Sequence, residues 1–212
     1  MLLCKSLILK DINLDAQKGE FLAIMGKSGA GKSTLINILG TLEKPTAGSY
    51  VFNGCEIQNL SENQKTMLRL QGIGFVFQGF HLIPYLTCGE NIKILLGICN
   101  SRMKKSEIDD KVHEVANKVG ISHRLKHLPT ELSYGEQQRT AIARCLINKP
   151  KLILADEPTG NLDSLTSMEI VMLIKDIVAN EGVTCIMVTH DEKISGKADH
   201  RIYLNNGILT IR

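Results

Sequence analysis

Four runs of apolar residues stand out along the chain, and each ends abruptly in polar residues. Apolar side chains at consecutive positions suit a strand that is buried on both faces, as in a parallel sheet covered by helices. Helical patterns separate the runs, so we predict an α/β fold. The runs are Phe21–Met25, Gly72–Gln78, Leu152–Ala155 and Thr184–Thr189.

The polar residues that follow these runs are candidates for chemistry. A glycine-rich loop follows the first run, and Gln78 ends the second. Asp156 and Glu157 follow the third run, and His190 follows the fourth. Ligands bind parallel sheets at the carboxyl ends of the strands. We therefore expect these groups to meet at one edge of the sheet and to form a site.

The glycine-rich loop matches the phosphate-loop pattern G-x-x-x-x-G-K-[ST] between a strand and a helix. Its glycines lack Cβ, so backbone N–H groups can turn inward around an anion. Lys32 would contact the β- and γ-phosphates, and the Ser33 hydroxyl would contact Mg²⁺. A chance glycine-rich turn is the alternative, but the flanking strand and helix favour a nucleotide site. The predicted nucleotide-binding residues are Gly26, Lys27, Ser28, Gly29, Ala30, Gly31, Lys32, Ser33 and Thr34.

The acidic pair suits hydrolysis of a phosphate bond. Asp156 can hold Mg²⁺, usually through water, opposite Ser33. Glu157 is placed to orient or deprotonate the water that attacks the γ-phosphate. Gln78 can contact both metal and water, and His190 can donate a hydrogen bond to the γ-phosphate. An ordinary strand-end turn is the alternative for the carboxylates, and a structural role is the alternative for a lone Gln or His.

Turn residues predict the remaining strands. Residues 1–19 indicate an extended pair that ends in the Lys18–Gly19 turn. Asn53–Gly54 and Asn206–Gly207 predict hairpins within residues 45–60 and 202–211.

Residues 84–148 have a helical pattern. Ser106 and Asp109 resemble a capping box, with Gly120 as the stop of that helix. His123 and His127 stand four residues apart, but the glutamate of a zinc helix is missing, so we expect surface histidines.

A second possible anion site precedes an alanine- and isoleucine-rich helix. Ser133 and Glu136 form a capping box, which fixes a helix start with exposed N–H groups. An ordinary capped helix is the alternative. One phosphate loop together with a second anion-binding helix end suggests an arrangement in which two chains share each nucleotide.

Composition narrows the class of protein. The 212 residues suffice for one large domain, and a net charge of +3 is too small to indicate binding to nucleic acid. The six cysteines are scattered without C-x-x-C pairs, which favours buried free thiols in a reducing cytosol. We find no signal peptide and no apolar run of membrane-spanning length. Any membrane role is therefore expected to come through a partner.

The order of these motifs resembles the nucleotide-binding domain of ATP-binding cassette (ABC) transporters, and the resemblance covers essentially the whole chain. Three stretches, 74–78, 155–163 and 188–191, are most similar to the lipoprotein-release, macrolide-export and bacteriocin-export branch. The motifs that carry the resemblance are the phosphate loop, Gln78, Leu132–Gln137 (the signature segment), Leu152–Glu157, Asn161–Asp163 and His190.

The resemblance implies a P-loop NTPase core with a mostly parallel sheet, an antiparallel β subdomain and an inserted α-helical subdomain. The chain would be a single domain, 1–212, with the core at 1–83 and 149–212 and the helical subdomain at about 84–148. It implies a head-to-tail, ATP-dependent homodimer around two ATP, in which Ser133 and Gly135 complete the site around Lys32 of the other subunit. Asp163 would lie at the dimer seam.

The resemblance also implies a partner and a location. Gln78 and the helical subdomain would couple to an integral membrane permease. The chain would then lie on the cytoplasmic face of the membrane. The permease would select the transported substrate, which the sequence of this chain leaves open.

Two departures from the family pattern affect these expectations. Tyr134 replaces the first glycine of the signature segment, and its ring either crowds the nucleotide of the partner or points away. No aromatic residue that could stack on adenine precedes Phe21, which we expect to be buried, and the N-terminus looks short by an edge strand. We therefore predict weak nucleotide affinity and weak base selectivity, which a strong preference for ATP over GTP would contradict.

Three classes of function remain. The first is a transport ATPase in which Lys32, Gln78, Glu157 and His190 are catalytic. The second is a soluble cassette ATPase of DNA repair or translation, but the spacing from Lys32 to Asp156 leaves no room for a coiled-coil insertion or a second cassette. The third is a catalytically weak regulatory subunit that binds nucleotide, which Tyr134 and the short N-terminus suggest.

Overall fold

The chain forms a six-stranded sheet and a separate two-stranded sheet, and the computed structural model describes residues 7–99 and 103–211. The strands are β1 (Phe21–Met25), β2 (Val51–Phe52), β3 (Cys55–Glu56), β4 (Ile73–Phe77), β5 (Leu152–Asp156), β6 (Thr184–Thr189), β7 (His200–Asn205) and β8 (Ile208–Ile211). The helices are α1 (Lys32–Leu39), α2 (Glu62–Gly72), α3 (Cys88–Cys99), α4 (Lys105–Lys118), α5 (Tyr134–Leu146), α6 (Ser164–Glu181) and α7 (Glu192–Ser195).

The large sheet has the strand order β4-β5-β6-β1-β7-β8. Its first five strands are parallel, and β8 pairs antiparallel with β7 at the edge. The predicted α/β fold with a mostly parallel sheet is therefore confirmed. The carboxyl ends of β4, β5, β6 and β1 lie side by side, which brings together the polar residues that follow these strands.

Both faces of the sheet are buried. In β1, Phe21 and Ala23 join a hydrophobic cluster with residues of α3, α4, α5 and α6, whereas Leu22 and Ile24 join a second cluster with α1. Alternate residues of a strand point to opposite faces, so a strand between two layers must be apolar at every position. This is the physical reason for the uninterrupted apolar runs in the sequence.

Both predicted hairpins are present. β2 and β3 pair antiparallel around Asn53 and Gly54, whose φ angles are 50° and 79°. β7 and β8 pair around Asn206 and Gly207, with φ angles of 47° and 81°. Two consecutive residues with positive φ are what a tight two-residue turn requires, and asparagine and glycine adopt this conformation at low cost.

The prediction of an extended pair over residues 1–19 is wrong where it can be checked. Residues 7–19 contain no strand, although the turn at Lys18–Gly19 is present; residues 1–6 lie outside the described part. Ile12 and Leu14 pack against the sheet cluster that contains α1. The backbone N–H of Lys10 donates a hydrogen bond of 2.7 Å to the Gly207 carbonyl. Side-chain packing, rather than strand pairing, therefore holds the apolar residues of this segment against the sheet.

The predicted capping box at Ser106 and Asp109 is also wrong. Helix α4 begins at Lys105, and the Glu107 carboxylate accepts a hydrogen bond of 3.1 Å from the backbone N–H of Lys104. Ser106 therefore lies inside the first turn. The end of the helix matches the prediction, because Gly120 follows it with a φ angle of 75°.

The predicted thiol burial holds for three cysteines. Cys88, Cys145 and Cys185 are buried and free, whereas Cys55 is exposed. Cys4 and the side chain of Cys99 lie outside the described residues.

The two histidines between α4 and α5 differ from each other. His123 is exposed, as predicted, but His127 is half-buried, with Nε2 3.3 Å from Arg124 Nη1. Among the described residues, no cluster of three or more His, Cys, Asp or Glu could hold a metal ion, and no helix is long and apolar enough to span a bilayer.

Candidate functional site

A cleft with a volume of about 910 Å³ opens at the carboxyl edge of the large sheet. It brings together residues from the ends of β1, β4, β5 and β6, as the sequence predicted. Its walls are formed by Ile8, Lys27, Ser28, Gly29, Gly31, Lys32, Ser33, Thr34, Phe77, Gln78, Gly79, His81, Asp156, Glu157 and His190.

The loop between β1 and α1 depends on glycine at two positions where the backbone is crowded. A Cβ on Gly26 would lie 2.5 Å from the carbonyl oxygen of Leu204. Gly31 has a φ angle of 100°, and a Cβ there would lie 2.9 Å from Leu9 Cδ2. Helix α1 begins directly after Gly31, so the positive end of its dipole faces the cleft. This geometry suits a bound polyphosphate.

Lys32 is held across this loop. Its side chain is buried, and its ammonium group donates hydrogen bonds of 2.8 Å to the Gly26 carbonyl and 3.2 Å to the Lys27 carbonyl. The same nitrogen lies 3.4 Å from Glu157 Oε1. The cation therefore lies between the phosphate loop and the acidic residues that end β5.

Glu157 has a left-handed backbone with a φ angle of 47°, a conformation that costs energy for a residue other than glycine. Two backbone hydrogen bonds hold it: its N–H donates to the Val188 carbonyl at 3.1 Å, and its carbonyl accepts from Gly160 N–H at 3.0 Å. The carboxylate is directed into the cleft, where Oε2 lies 2.5 Å from Nδ1 of His190. The Glu157 carboxylate thus contacts both Lys32 and His190.

Asp156 and Ser33 provide oxygen atoms in the same cleft as Lys32. Burial raises the pKa of Asp156, and the neighbouring Glu157 raises it further, while the Ser33 hydroxyl and Lys32 oppose the rise. A hydrogen bond joins Ser33 and Asp156, so their oxygens are close enough to contact one ion. Hard oxygen ligands with one carboxylate suit Mg²⁺, which commonly completes its coordination with phosphate oxygens and water.

Gln78 reaches the cleft from the end of β4. Its Nε2 donates to Asn161 Oδ1 at 3.2 Å, and Asn161 Nδ2 donates to the Gln78 carbonyl at 3.0 Å. In the sequence, Asn161 is only part of the Asn161–Asp163 motif. No spacing or periodicity indicates this pairing, because 83 residues separate its two members.

Arg144 is a second residue whose position sequence reasoning missed. Its guanidinium donates to the carbonyls of His81 and Phe80, at 2.6 Å and 2.8 Å. Phe80 and His81 both have positive φ angles, 58° and 49°. His81 lines the cleft, and its ring lies 4.7 Å from that of Phe77. Helix α5 thus holds the segment that follows Gln78 in a strained conformation.

Four of the predicted nucleotide-binding residues do not line the cleft. Gly26 lies against β7, and Ala30 is buried in the hydrophobic cluster that contains α1. Ser133 and Gly135 lie outside the cleft walls, at the start of α5. These two were predicted to serve the site of another subunit, so their role stays a prediction. The predicted capping box of Ser133 and Glu136 is present: the Ser133 hydroxyl accepts from Glu136 N–H at 3.3 Å, and the Glu136 carboxylate accepts from Ser133 N–H at 2.8 Å.

The pKa of Glu136 is lowered in this capping box. Partial burial raises its pKa, but hydrogen bonds from the Ser133 N–H, Arg124 and the Ser133 hydroxyl outweigh burial and bring the pKa to about 2. The carboxylate is therefore charged at neutral pH and fixes the start of α5.

The two departures from the family pattern have structural correlates. The Tyr134 ring is 62% exposed and lies 5.9 Å from the Phe80 ring of the same chain. Phe21 is fully buried in β1, as predicted, and so cannot stack on a base in the cleft. Ile8, an aliphatic residue, lines the cleft beside Gly31. Weak nucleotide affinity and weak base selectivity stay predictions.

Comparisons with known proteins agree with the site. Residues 9–160 match a family model described as ABC transporter. An uncharacterized ABC transporter ATP-binding protein, YvrO of Bacillus subtilis, is 46% identical over 96% of this chain and 88% of its own length. The lipoprotein-releasing system ATP-binding protein LolD of Shewanella denitrificans is 42% identical over 98% of this chain and 88% of its own length.

A longer relative and a solved structure extend the comparison. The macrolide export ATP-binding/permease protein MacB of Rhodopirellula baltica is 41% identical over 95% of this chain, which covers 30% of that protein. The dimeric post-hydrolysis structure of the ATP-binding cassette MJ0796, bound to ADP and Pi, superposes with a TM-score of 0.87 at 40% identity, over 96% of this chain and 90% of that chain. The chain therefore belongs to the ABC transporter family. It is an ATP-binding subunit of a transporter and an ATPase coupled to transport.

Proposed function

We propose that two copies of this chain bind two ATP molecules between them and hydrolyse them to drive a separate membrane permease. The observation that carries the proposal is the contact of one carboxylate, Glu157, with both Lys32 and His190 inside the phosphate-loop cleft. A base, a phosphate-binding cation and a histidine at this spacing are the groups that attack of water on a γ-phosphate requires.

Each residue of this group has a distinct role. Lys32 binds the β- and γ-phosphates together with the loop N–H groups, and so offsets the charge that develops during phosphoryl transfer. Glu157 accepts the proton of the attacking water. With a proton on both ring nitrogens, His190 Nδ1 donates to Glu157 and fixes the direction of its carboxylate, while Nε2 donates to the γ-phosphate.

Ser33, Asp156 and Gln78 would hold Mg²⁺ together with the phosphates. Bound Mg²⁺ supplies charge neutralisation at the β- and γ-phosphates. Asp156 is partly buried and its pKa is raised, so a cation beside it would favour its ionised form. The cation and the acidic group therefore stabilise each other in the cleft.

Dimerisation would complete each site. Ser133 and Gly135 lie outside the cleft of their own chain, which supports their use by a second copy. Asp163 caps α6 by accepting from the N–H groups of Leu165 and Thr166, and Leu165 beside it is 73% exposed. An apolar side chain next to the Asp163 turn suits a dimer seam, and the related MJ0796 cassette is dimeric.

The permease would dock on the loop that follows Gln78. Tyr85 is 89% exposed there. Asn91 is fully buried and donates to the carbonyls of Ile83, Leu86 and Thr87, so the exposed ring stands on a rigid loop. By analogy with LolD and MacB, we assign the chain to export or to release of lipoprotein or peptide, on the cytoplasmic face of the membrane. Helices α3, α4 and α5 would form the helical subdomain, at about 84–148, that transmits hydrolysis to the permease.

Replacing Glu157 with Gln tests this function. The amide cannot accept the proton of the attacking water, so phosphate release should fall by at least about 100-fold. ATP binding should persist, and light scattering should show a dimer that forms with ATP and does not dissociate. Glu114→Gln, on the surface of α4, is the control and should behave like the wild type.

Two results would contradict the proposal. Undiminished hydrolysis in Glu157→Gln would exclude Glu157 as the base. A wild-type chain that binds ATP but shows no turnover, alone or with its permease, would instead support the regulatory role.

A further inference from the structure

We propose that Asn161 and Gly160 orient the carboxamide of Gln78, so that its oxygen and not its nitrogen is presented to the cleft. The inference rests on the proposed role of Gln78 as a metal ligand and adds two positioning residues to it. Neither residue lines the cleft. Both belong to the turn between Glu157 and Asp163.

Two hydrogen bonds connect Asn161 with Gln78. The Asn161 amide nitrogen donates to the backbone carbonyl of Gln78 at 3.0 Å. The Asn161 amide oxygen accepts from the Gln78 side-chain nitrogen at 3.2 Å. Asn161 therefore contacts both the main chain and the side chain of the same residue.

The chemistry of these groups determines which way both amides face. A backbone carbonyl can only accept, so the Asn161 group that contacts it must be the NH₂ group. Asn161 Oδ1 can only accept, so the Gln78 group that contacts it must be the NH₂ group. This leaves Gln78 Oε1 as the atom available to the cleft.

Gly160 supplies the surface on which the Gln78 side chain lies. A Cβ on Gly160 would come within 2.5 Å of Gln78 Nε2 and 2.7 Å of its Cδ, well inside van der Waals contact. The φ angle of Gly160 is not positive, unlike that of Gly29 or Gly31. The backbone at this position would therefore accept alanine, and the close approach of Gln78 is what requires glycine.

This orientation matters for Mg²⁺, which takes oxygen ligands. A freely rotating carboxamide would present its NH₂ group as often as its oxygen, and an NH₂ group repels a cation. Groups that orient metal ligands typically change metal affinity by about 10- to 100-fold when they are removed. The contact also connects Gln78 to the turn that begins at Glu157, so the ligand and the proposed base are held by one segment.

The test measures how much Mg²⁺ strengthens nucleotide binding. A fluorescent non-hydrolysable ATP analogue is titrated in EDTA and in Mg²⁺, and the ratio of the two dissociation constants is compared among variants. Asn161→Ala should leave binding in EDTA unchanged and lower the Mg²⁺ ratio by about 10-fold. Asn59→Ala, on an exposed asparagine that donates to Glu56, is the matched control.

Double-mutant cycles with Gln78→Ala separate a positioning role for Asn161 and Gly160 from a general effect on the structure. Gly160→Ala should lower the Mg²⁺ ratio like Asn161→Ala, because the new methyl group displaces Gln78. Gln78→Ala removes the carboxamide that Asn161 and Gly160 contact. In that background, Gly160→Ala and Asn161→Ala should therefore lower the Mg²⁺ ratio no further.

The outcomes distinguish this inference from the proposed function. If Gln78→Ala leaves the Mg²⁺ ratio unchanged, Gln78 is not a metal ligand and the proposal that rests on it fails. If Gln78→Ala lowers the ratio but Asn161→Ala and Gly160→Ala do not, the orienting role is overturned while the ligand role stands. Undiminished effects of both substitutions in the Gln78→Ala background would also overturn it, since they would act through another group.

Discussion

Nδ1 of His190 lies 2.5 Å from Oε2 of Glu157, at the ends of the neighbouring strands β6 and β5. A carboxylate accepts in this contact, so the histidine donates from Nδ1. The other carboxylate oxygen lies 3.4 Å from Lys32. Each oxygen of the Glu157 carboxylate therefore has one partner, and the two contacts fix its orientation. A base needs a fixed orientation in order to act on a single water molecule.

Removal of His190 should therefore reduce turnover without loss of nucleotide binding. We expect His190→Ala to lower kcat by about 100-fold or more, because Glu157 loses its orienting partner. The dissociation constant for ATP should rise by no more than about tenfold, because one contact with the γ-phosphate is lost while the phosphate loop is kept. Phosphate release and fluorescent nucleotide titration measure the two quantities. His200→Ala is the control, since His200 also faces a glutamate, Glu20, at 3.9 Å; wild-type turnover in His190→Ala would refute the role.

Tyr134 should not obstruct the shared nucleotide, because its ring faces Phe80 of its own chain at 5.9 Å. Tyr134→Gly removes an aromatic contact worth about 0.5–1.5 kcal/mol and places a flexible residue in the first turn of α5. We expect a lower free energy of unfolding in urea and a turnover within about threefold of the wild type. A tenfold or greater gain in turnover would show that the ring does crowd the site of the partner.

Glu136 should make the fold more sensitive to acid. Its pKa is about 2, below its ordinary value of 4.5, so it stabilises the folded chain fully above pH 4.5 and loses this contribution as the pH falls towards 2. Glu136→Gln keeps the cap but not the charge beside Arg124, and should lower the free energy of unfolding by about 1 kcal/mol at pH 7.

The difference between wild type and Glu136→Gln should shrink between pH 4.5 and pH 2, as followed by urea unfolding monitored by circular dichroism. The comparison is Glu131→Gln, because the Glu131 carboxylate of the wild type also accepts from a backbone N–H, that of Leu128, at 2.6 Å. A difference that is constant over this pH range would contradict the assignment.

The cysteines should differ sharply in reactivity. Burial raises the pKa of Cys88 and of Cys185, and it raises that of Cys145 to about 12. Since the thiolate is the reactive form, iodoacetamide at pH 8 should modify the exposed Cys55 and leave these three intact until the chain is unfolded. Peptide mass spectrometry before and after unfolding in guanidinium measures this, and equal labelling of Cys145 and Cys55 in the folded protein would contradict it.

Patterns local in sequence determined much of this protein. The apolar runs specified the strands of a sheet buried on both faces, and the glycines and Lys32 specified the phosphate loop. Asn–Gly pairs fixed both hairpins because a tight turn needs two residues with positive φ. Each of these features depends only on residues that are neighbours in the sequence. The polar groups that follow the strands lie together in one cleft, as expected for the carboxyl ends of parallel strands.

Only the tertiary structure decided the contacts that join distant segments. The pairing of Asn161 with Gln78, the hold of Arg144 on Phe80 and His81, and the direction of the Tyr134 ring carry no periodic signal. The same holds for residues 7–19, which were predicted to be extended and paired but whose side chains pack without strand pairing. Local propensity describes the conformation of one segment, whereas a hydrogen bond between loops depends on the relative positions of helices and strands, which the packing of the whole core fixes.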